Sequence, residues 1–284
     1  MRDLKLAAKR SRKKTIFNIR GHMIGQDFIV IAGPCSVESE EQTLRIARAV
    51  KNAGADMLRG GAFKPRTSPY SFQGLGLKGL KILQAARDET GLPVVSEVLD
   101  PRDAAWMSEY VDVLQIGTRN MQNFSLLKEV GKLKTPVLLK RGMNSTLAEW
   151  LNCAEYILSE GNPHVILCER GIRTFETYSR NTLDLTAVPA VKELTHLPII
   201  VDPAHATGRV SLIEPMCLAA VASGSDGLIL EVHDHPELAL SDRDQALTPD
   251  HFLRINQKIS ALRQFMGTMG DIHTFENYTL GKSG

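Results

Sequence analysis

The chain has 284 residues, 43% hydrophobic and 23% charged, the composition of a globular protein long enough to bury a large core. Lys and Arg number 34 against 32 Asp and Glu, so no global charge draws it to nucleic acid or an acidic membrane, and no run of about 18 apolar residues is present to span a bilayer. Its four cysteines (Cys35, Cys153, Cys168, Cys217) are widely spaced with no Cys-x-x-Cys pair, which points to reduced thiols and a cytoplasmic setting.

The chain opens on a basic arm over residues 9–14, read as a solvated terminus, and lacks the apolar stretch of a secretory signal. Residues 15–20 and 22–24 flank Gly21 as the strands of a short hairpin would, suited to plugging the bottom of a barrel. From Phe28 a grammar repeats: a short apolar run, then polar or charged residues, then a helical stretch. Eight such runs occur, at 28–32, 55–58, 93–95, 111–116, 136–139, 164–167, 198–201 and 227–230. Near-continuous apolar runs are expected of parallel strands covered on both faces. The first helix starts at a Ser39/Gln42 capping pattern, carries Leu44, Ala47 and Val50 on one face and stops at Gly54. Helical stretches at 78–89, 103–110, 126–131, 147–159, 187–194, 212–222 and 249–266 fill the remaining intervals. The pattern predicts a single (β/α)8 barrel, with residues 1–27 as arm and hairpin and 28–284 as the catalytic barrel.

Active sites of such barrels lie where the strands end. The segment from Leu58 to Gly76 sets Lys64, Arg66, Thr67 and Ser68 among prolines and glycines, a rigid loop suited to gripping phosphate. The other strand ends supply Cys35 and Ser36, Ser96 and Glu97, Arg119 and Asn120, Lys140 and Arg141, Glu169 and Arg170, Asp202 and His205, and Glu231 and His233. So many ionisable groups at one mouth carry a desolvation cost that stability alone does not require. Within them, Cys35, His205, Glu231 and Asp242 offer one sulfur, one nitrogen and two oxygen ligands, a mixed set for Mn2+, Fe2+, Co2+ or Zn2+. His233 and His235 are weaker candidates. Arg59, Lys64, Arg119, Lys140 and Arg170, joined by Arg66, exceed what one phosphate monoester needs and imply more than one anionic group.

The segments Gly33-Pro34-Cys35-Ser36-Val37-Glu38-Ser39, Arg59 to Gly76, Gln115-Ile116-Gly117-Thr118-Arg119-Asn120, Leu138-Leu139-Lys140-Arg141-Gly142, Cys168-Glu169-Arg170-Gly171, Asp202-Pro203-Ala204-His205 and Glu231-Val232-His233 together resemble the type Iβ 3-deoxy-D-arabino-heptulosonate 7-phosphate (DAHP) synthases. The resemblance runs from about Phe28 to the final helix. It implies a (β/α)8 enzyme of the shikimate route that condenses phosphoenolpyruvate with erythrose 4-phosphate and releases phosphate. By that likeness Cys35, His205, Glu231 and Asp242 hold the divalent metal, and Arg59, Lys64, Arg119, Lys140 and Arg170 hold phosphoenolpyruvate. Arg66, Thr67 and Ser68 fall to erythrose 4-phosphate, with Lys64 between the substrates. A homo-oligomer, dimer or tetramer, is the family habit.

Catalytic roles are expected of Lys64, Glu97 and His205. Glu97, expected close to Lys140, would orient the water that attacks C2, and Lys64 or a water on the metal would protonate the new alkoxide. The related 3-deoxy-octulosonate 8-phosphate synthases use arabinose 5-phosphate, but their sugar loop typically reads Asn-Arg-Ser-Ser where this chain has Lys64-Pro65-Arg66-Thr67-Ser68. A non-catalytic phosphosugar-binding barrel is the remaining alternative. With about 27 residues ahead of the first barrel strand, too few for a product-sensing domain, activity is expected to be insensitive to Phe, Tyr and Trp.

Overall fold

The computed structural model describes residues 4–10, 12–66 and 68–269. A two-stranded antiparallel hairpin, β1 (Phe17–Ile19) and β2 (His22–Ile24), precedes eight parallel strands. These are β3 (Ile29–Gly33), β4 (Met57–Arg59), β5 (Val94–Val98), β6 (Val113–Ile116), β7 (Val137–Lys140), β8 (Val165–Glu169), β9 (Ile199–Val201) and β10 (Gly227–Glu231). They follow chain order around the sheet, and β10 pairs with β3 to close the barrel. The expected (β/α)8 architecture is therefore the observed one.

Alternate side chains of each strand serve two cores, as the period-2 geometry of a strand requires. In β3, Val30 and Ala32 face the helical layer, while Ile29 and Ile31 face inward. Inside, they meet Met57, Val95, Val113, Leu138, Ile166, Ile200 and Ile229, and the hairpin residues Phe17, Ile19 and Ile24 join this cluster from below. The hairpin is the plug that the sequence suggested. The basic arm folds back on the same end: Lys9 N donates to Leu194 O, and Lys14 pairs with Asp226 at 2.7 Å.

The outer layer comprises α1 (Glu40–Asn52), α2 (Leu77–Thr90), α3 (Ala104–Met107), α4 (Phe124–Gly131), α5 (Leu147–Ser159), α6 (Ala187–Leu194), α8 (Val210–Ala222) and α9 (Pro249–Thr268), with the short α7 (Pro203–Thr207) at the barrel mouth. The Ser39 side chain caps Gln42 N as expected, but the Gln42 side chain reaches Glu38 N and not the cap residue. The predicted helix at 103–110 shrinks to a 3-10 turn (Pro101–Asp103) and the four residues of α3. Asp100 accepts from Arg102 N and Pro101 starts the turn, so the tight geometry is fixed before the apolar residues arrive. No separate element was expected at α7, which begins immediately after β9 and carries His205.

Candidate active site

The first strand delivers Cys35. At Gly33 φ is +152° and an added Cβ would lie 2.2 Å from Arg59 O, so only glycine lets β3 and β4 converge there. That approach brings the two strand ends together. Lys64 Nζ then donates to Cys35 Sγ at 2.9 Å and to Cys35 O at 3.1 Å. Burial lowers the Lys64 pKa, but Cys35, Glu231 and Glu97 together outweigh it and the net shift is upward.

His205 is aimed by the turn that holds it. Asp202 caps α7, accepting from His205 N at 3.0 Å, and its Oδ2 sits 2.8 Å from His205 Nδ1. The other ring nitrogen therefore points at Glu231, with Nε2 3.0 Å from Oε1. Asp202 Oδ2 also takes Lys140 Nζ at 2.5 Å. Burial would lower the His205 pKa, yet Asp202 and Glu231 raise it to about 10. Both carboxyls are held well below their usual range, because the cations they face overcome burial.

Asp242 completes the cluster from the loop after β10, in a left-handed conformation (φ 51°, ψ 40°) that a non-glycine residue adopts at a cost. Cys35 Sγ donates to its Oδ2 at 3.0 Å. The ligand atoms of Cys35, His205, Glu231 and Asp242 lie within 4.8 Å of one another. One thiol, one imidazole and two carboxylates converging in a largely buried pocket fit a single borderline divalent ion.

The cations surround this cluster in a cavity of about 330 Å3. Several are already committed: Arg59 pairs with Glu231 at 2.7 Å, Lys140 with Asp202, and Arg170 NH2 donates to His205 O at 3.0 Å. Arg170 NH1 is buried without a partner among the described residues, an outstanding donor at the cavity wall. Arg66 and Arg119 line the same space and make no hydrogen bond or ion pair with a described residue. Arg141, in contrast, is spent on Glu169 and Asp184 at 2.9 and 2.8 Å and serves the frame.

Glu97 lines the cavity together with Lys140. It stands opposite Gln115 in the β5–β6 register and accepts from Gln115 Nε2 at 3.3 Å. An added Cβ on Gly117 would sit 1.9 Å from Glu97 Oε1, so that glycine makes room for the carboxylate. Ser68 is in the lining, whereas Thr67 lies outside the described residues. His233 turns away toward Gln42, and His235 is exposed beside Glu237. Two residues escaped the sequence reading. Arg180 bonds Asp242, and Gln245 bonds Glu231, from loops that carry no recognisable motif.

Among known proteins, the model of the DAHP synthetase I family matches residues 9–266. A relative from Thermotoga maritima, phospho-2-dehydro-3-deoxyheptonate aldolase, is 50% identical over 254 residues, covering 89% of this chain and 75% of its own. A crystal structure of that aldolase (DAHP synthase) from the same organism superposes with a TM-score of 0.91 at 48% identity, over 93% of this chain and 78% of the other. A 2-dehydro-3-deoxyphosphooctonate aldolase from Geobacter sulfurreducens is 31% identical over 274 residues, 89% of this chain and 98% of its own.

Proposed function

The chain belongs to the DAHP synthetase I family, and from that premise we propose that it condenses phosphoenolpyruvate with erythrose 4-phosphate and water to give DAHP and phosphate. The observation that carries this reading is the convergence of the four-ligand cluster and the cation-lined cavity at one barrel mouth.

Arg59, Lys64, Arg119, Lys140 and Arg170 take the carboxylate and phosphate of phosphoenolpyruvate. Guanidinium forks hold both groups in one orientation and turn a two-substrate encounter into a local one. The orphaned Arg170 NH1 and the uncommitted Arg119 support this role. Arg66, Thr67 and Ser68 take erythrose 4-phosphate, with Arg66 and Thr67 on its phosphate. Cys35, His205, Glu231 and Asp242 hold one divalent ion, Mn2+, Fe2+, Co2+ or Zn2+, which when bound supplies a Lewis acid for the aldehyde carbonyl. The Asp202 contact to Nδ1 fixes the His205 ring so that Nε2 is the ligand atom.

The enol C3 bonds to the aldehyde carbon, and Lys64, kept protonated beside Cys35, gives its proton to the new alkoxide. Glu97, tethered by Gln115, orients the water whose oxygen adds at C2; one of its protons replaces the one Lys64 gave up, and the other leaves on phosphate as the C2–O bond to phosphate breaks. Residues 28–284 are the catalytic unit and 1–27 the arm and hairpin, of which Phe17, Ile19 and Ile24 plug the barrel. The protein works in the cytoplasm, where its four buried free thiols remain reduced, and as a dimer or tetramer.

Sugar choice tests the reading. Phosphate release is measured from phosphoenolpyruvate with erythrose 4-phosphate and, separately, with arabinose 5-phosphate. Turnover with the four-carbon sugar is expected; preference for the five-carbon sugar would move the protein to the octulosonate branch.

A further inference from the structure

The two carboxylates of the ligand cluster are tied together by Gln245 and by Arg180, which also lines the cavity. Gln245, only 2% exposed in the 3-10 turn Arg243–Gln245, donates Nε2 to Glu231 Oε2 at 2.6 Å. Its Oε1 accepts from Arg180 NH1 at 3.1 Å, and the same nitrogen donates to Asp242 Oδ1 at 2.9 Å. The amide orientation is forced: turned over, it would set oxygen against the Glu231 carboxylate and NH2 against the guanidinium. In each carboxylate one oxygen is thus occupied by the tie, and the other faces a fellow ligand, Glu231 Oε1 toward His205 Nε2, where it also accepts from Arg59 NH1 at 2.7 Å, and Asp242 Oδ2 toward Cys35 Sγ.

The tie is anchored to the element that carries His205. Arg180 N donates to Thr207 O at 2.9 Å and Asn181 N to Ala206 O at 2.8 Å, so the loop lies along α7. Gly208 leaves space for it, since an added Cβ there would be 2.7 Å from Arg180 Cβ. Asp242 needs such support because its left-handed backbone is not self-sustaining.

We propose that Arg180 and Gln245 form a strap that, with Arg59 on Glu231, positions Glu231 and Asp242 so that one oxygen of each is presented to the metal. They are positioning residues, and the inference rests on the four-ligand cluster being the metal site. A carboxylate freed from the strap rotates, and the ligand set loses its preorganised geometry before any substrate is involved.

The test is Mn2+ affinity of the full chain without substrates, read by electron paramagnetic resonance titration, for wild type, Arg180→Gln, Gln245→Ala and the double variant. Each single change is expected to weaken affinity about tenfold or more, and the double change to weaken it no more than about threefold beyond the weaker-binding single variant. Arg180→Gln alters an exposed side chain and decides the matter even if Gln245→Ala folds poorly. Affinity within twofold of wild type for Arg180→Gln, with a raised KM for the aldehyde substrate, would overturn the strap and make Arg180 a substrate contact. Failure of the wild type to bind one Mn2+ would instead remove the metal-site reading beneath it.

Discussion

The Asp202 carboxylate lies 2.8 Å from His205 Nδ1 and thereby decides which ring nitrogen faces the ligand cluster. The same oxygen neutralises Lys140, whose side chain is only 4% exposed. Asp202→Asn removes both services and leaves a buried ammonium without its counter-charge. We expect a loss of about 3–5 kcal/mol in unfolding free energy, and metal affinity about 10–100-fold weaker. Urea unfolding and a metal titration check the two effects separately.

Arg59 and Arg119 should behave differently although both are assigned to phosphoenolpyruvate. Arg59 is paired at 2.7 Å with Glu231, so Arg59→Ala uncovers a buried carboxylate and costs stability as well as turnover. Arg119 has no such partner among the described residues. Its replacement by Ala should move stability by less than about 0.5 kcal/mol, while raising the KM for phosphoenolpyruvate about tenfold or more. Thermal melts beside steady-state kinetics separate the cases; equal melting shifts for both variants would contradict this division.

Metal binding should depend on pH through His205. Its pKa is raised to about 10, so the ring carries a proton at neutral pH that a metal must displace. Because that proton competes with the metal, affinity rises with pH up to about 10, by up to about tenfold per pH unit for each proton released. Calorimetric titrations in two buffers of different ionisation enthalpy count that proton. Affinity that falls as pH rises through about 7 to 9 would be the wrong sign.

Glu97→Gln keeps the shape that fits over Gly117 and the reach to Gln115, but removes the charge that orients water. The expected result is kcat lowered about 10²–10⁴-fold, with the KM for phosphoenolpyruvate little changed. Full turnover in the variant would dismiss Glu97 from this role.

Much of this site was legible in the sequence because barrel strands are covered on both faces and read as apolar runs, so the residues just past each run lie at the mouth by construction. Cys35, His205 and Glu231 came from that logic and Asp242 from the loop after the last strand, and the structure brings their ligand atoms together. The services of Asp202 were hidden because a helix-capping aspartate and a histidine three residues on are common in any helix start; the second function appears only with Lys140 from another strand. Arg180 meets Asp242 and Gln245 across 62 and 65 residues, from loops without periodicity, and such contacts depend on how loops pack. The helix expected at 103–110 shortens at both ends: the 3-10 turn begun at Asp100–Pro101 takes Asp103, and α3 stops at Met107, leaving residues 108–110 in a turn.

A divalent ion held at one end of the barrel is assigned to the condensation of two phosphorylated substrates, and removing that ion tests the assignment most directly. The measurement is consumption of phosphoenolpyruvate with erythrose 4-phosphate by chelated, dialysed protein, then with Mn2+ added back in steps. Turnover should be absent after chelation and return in proportion to bound metal, saturating at one ion per chain. Undiminished turnover from protein shown to contain no metal would contradict the assignment.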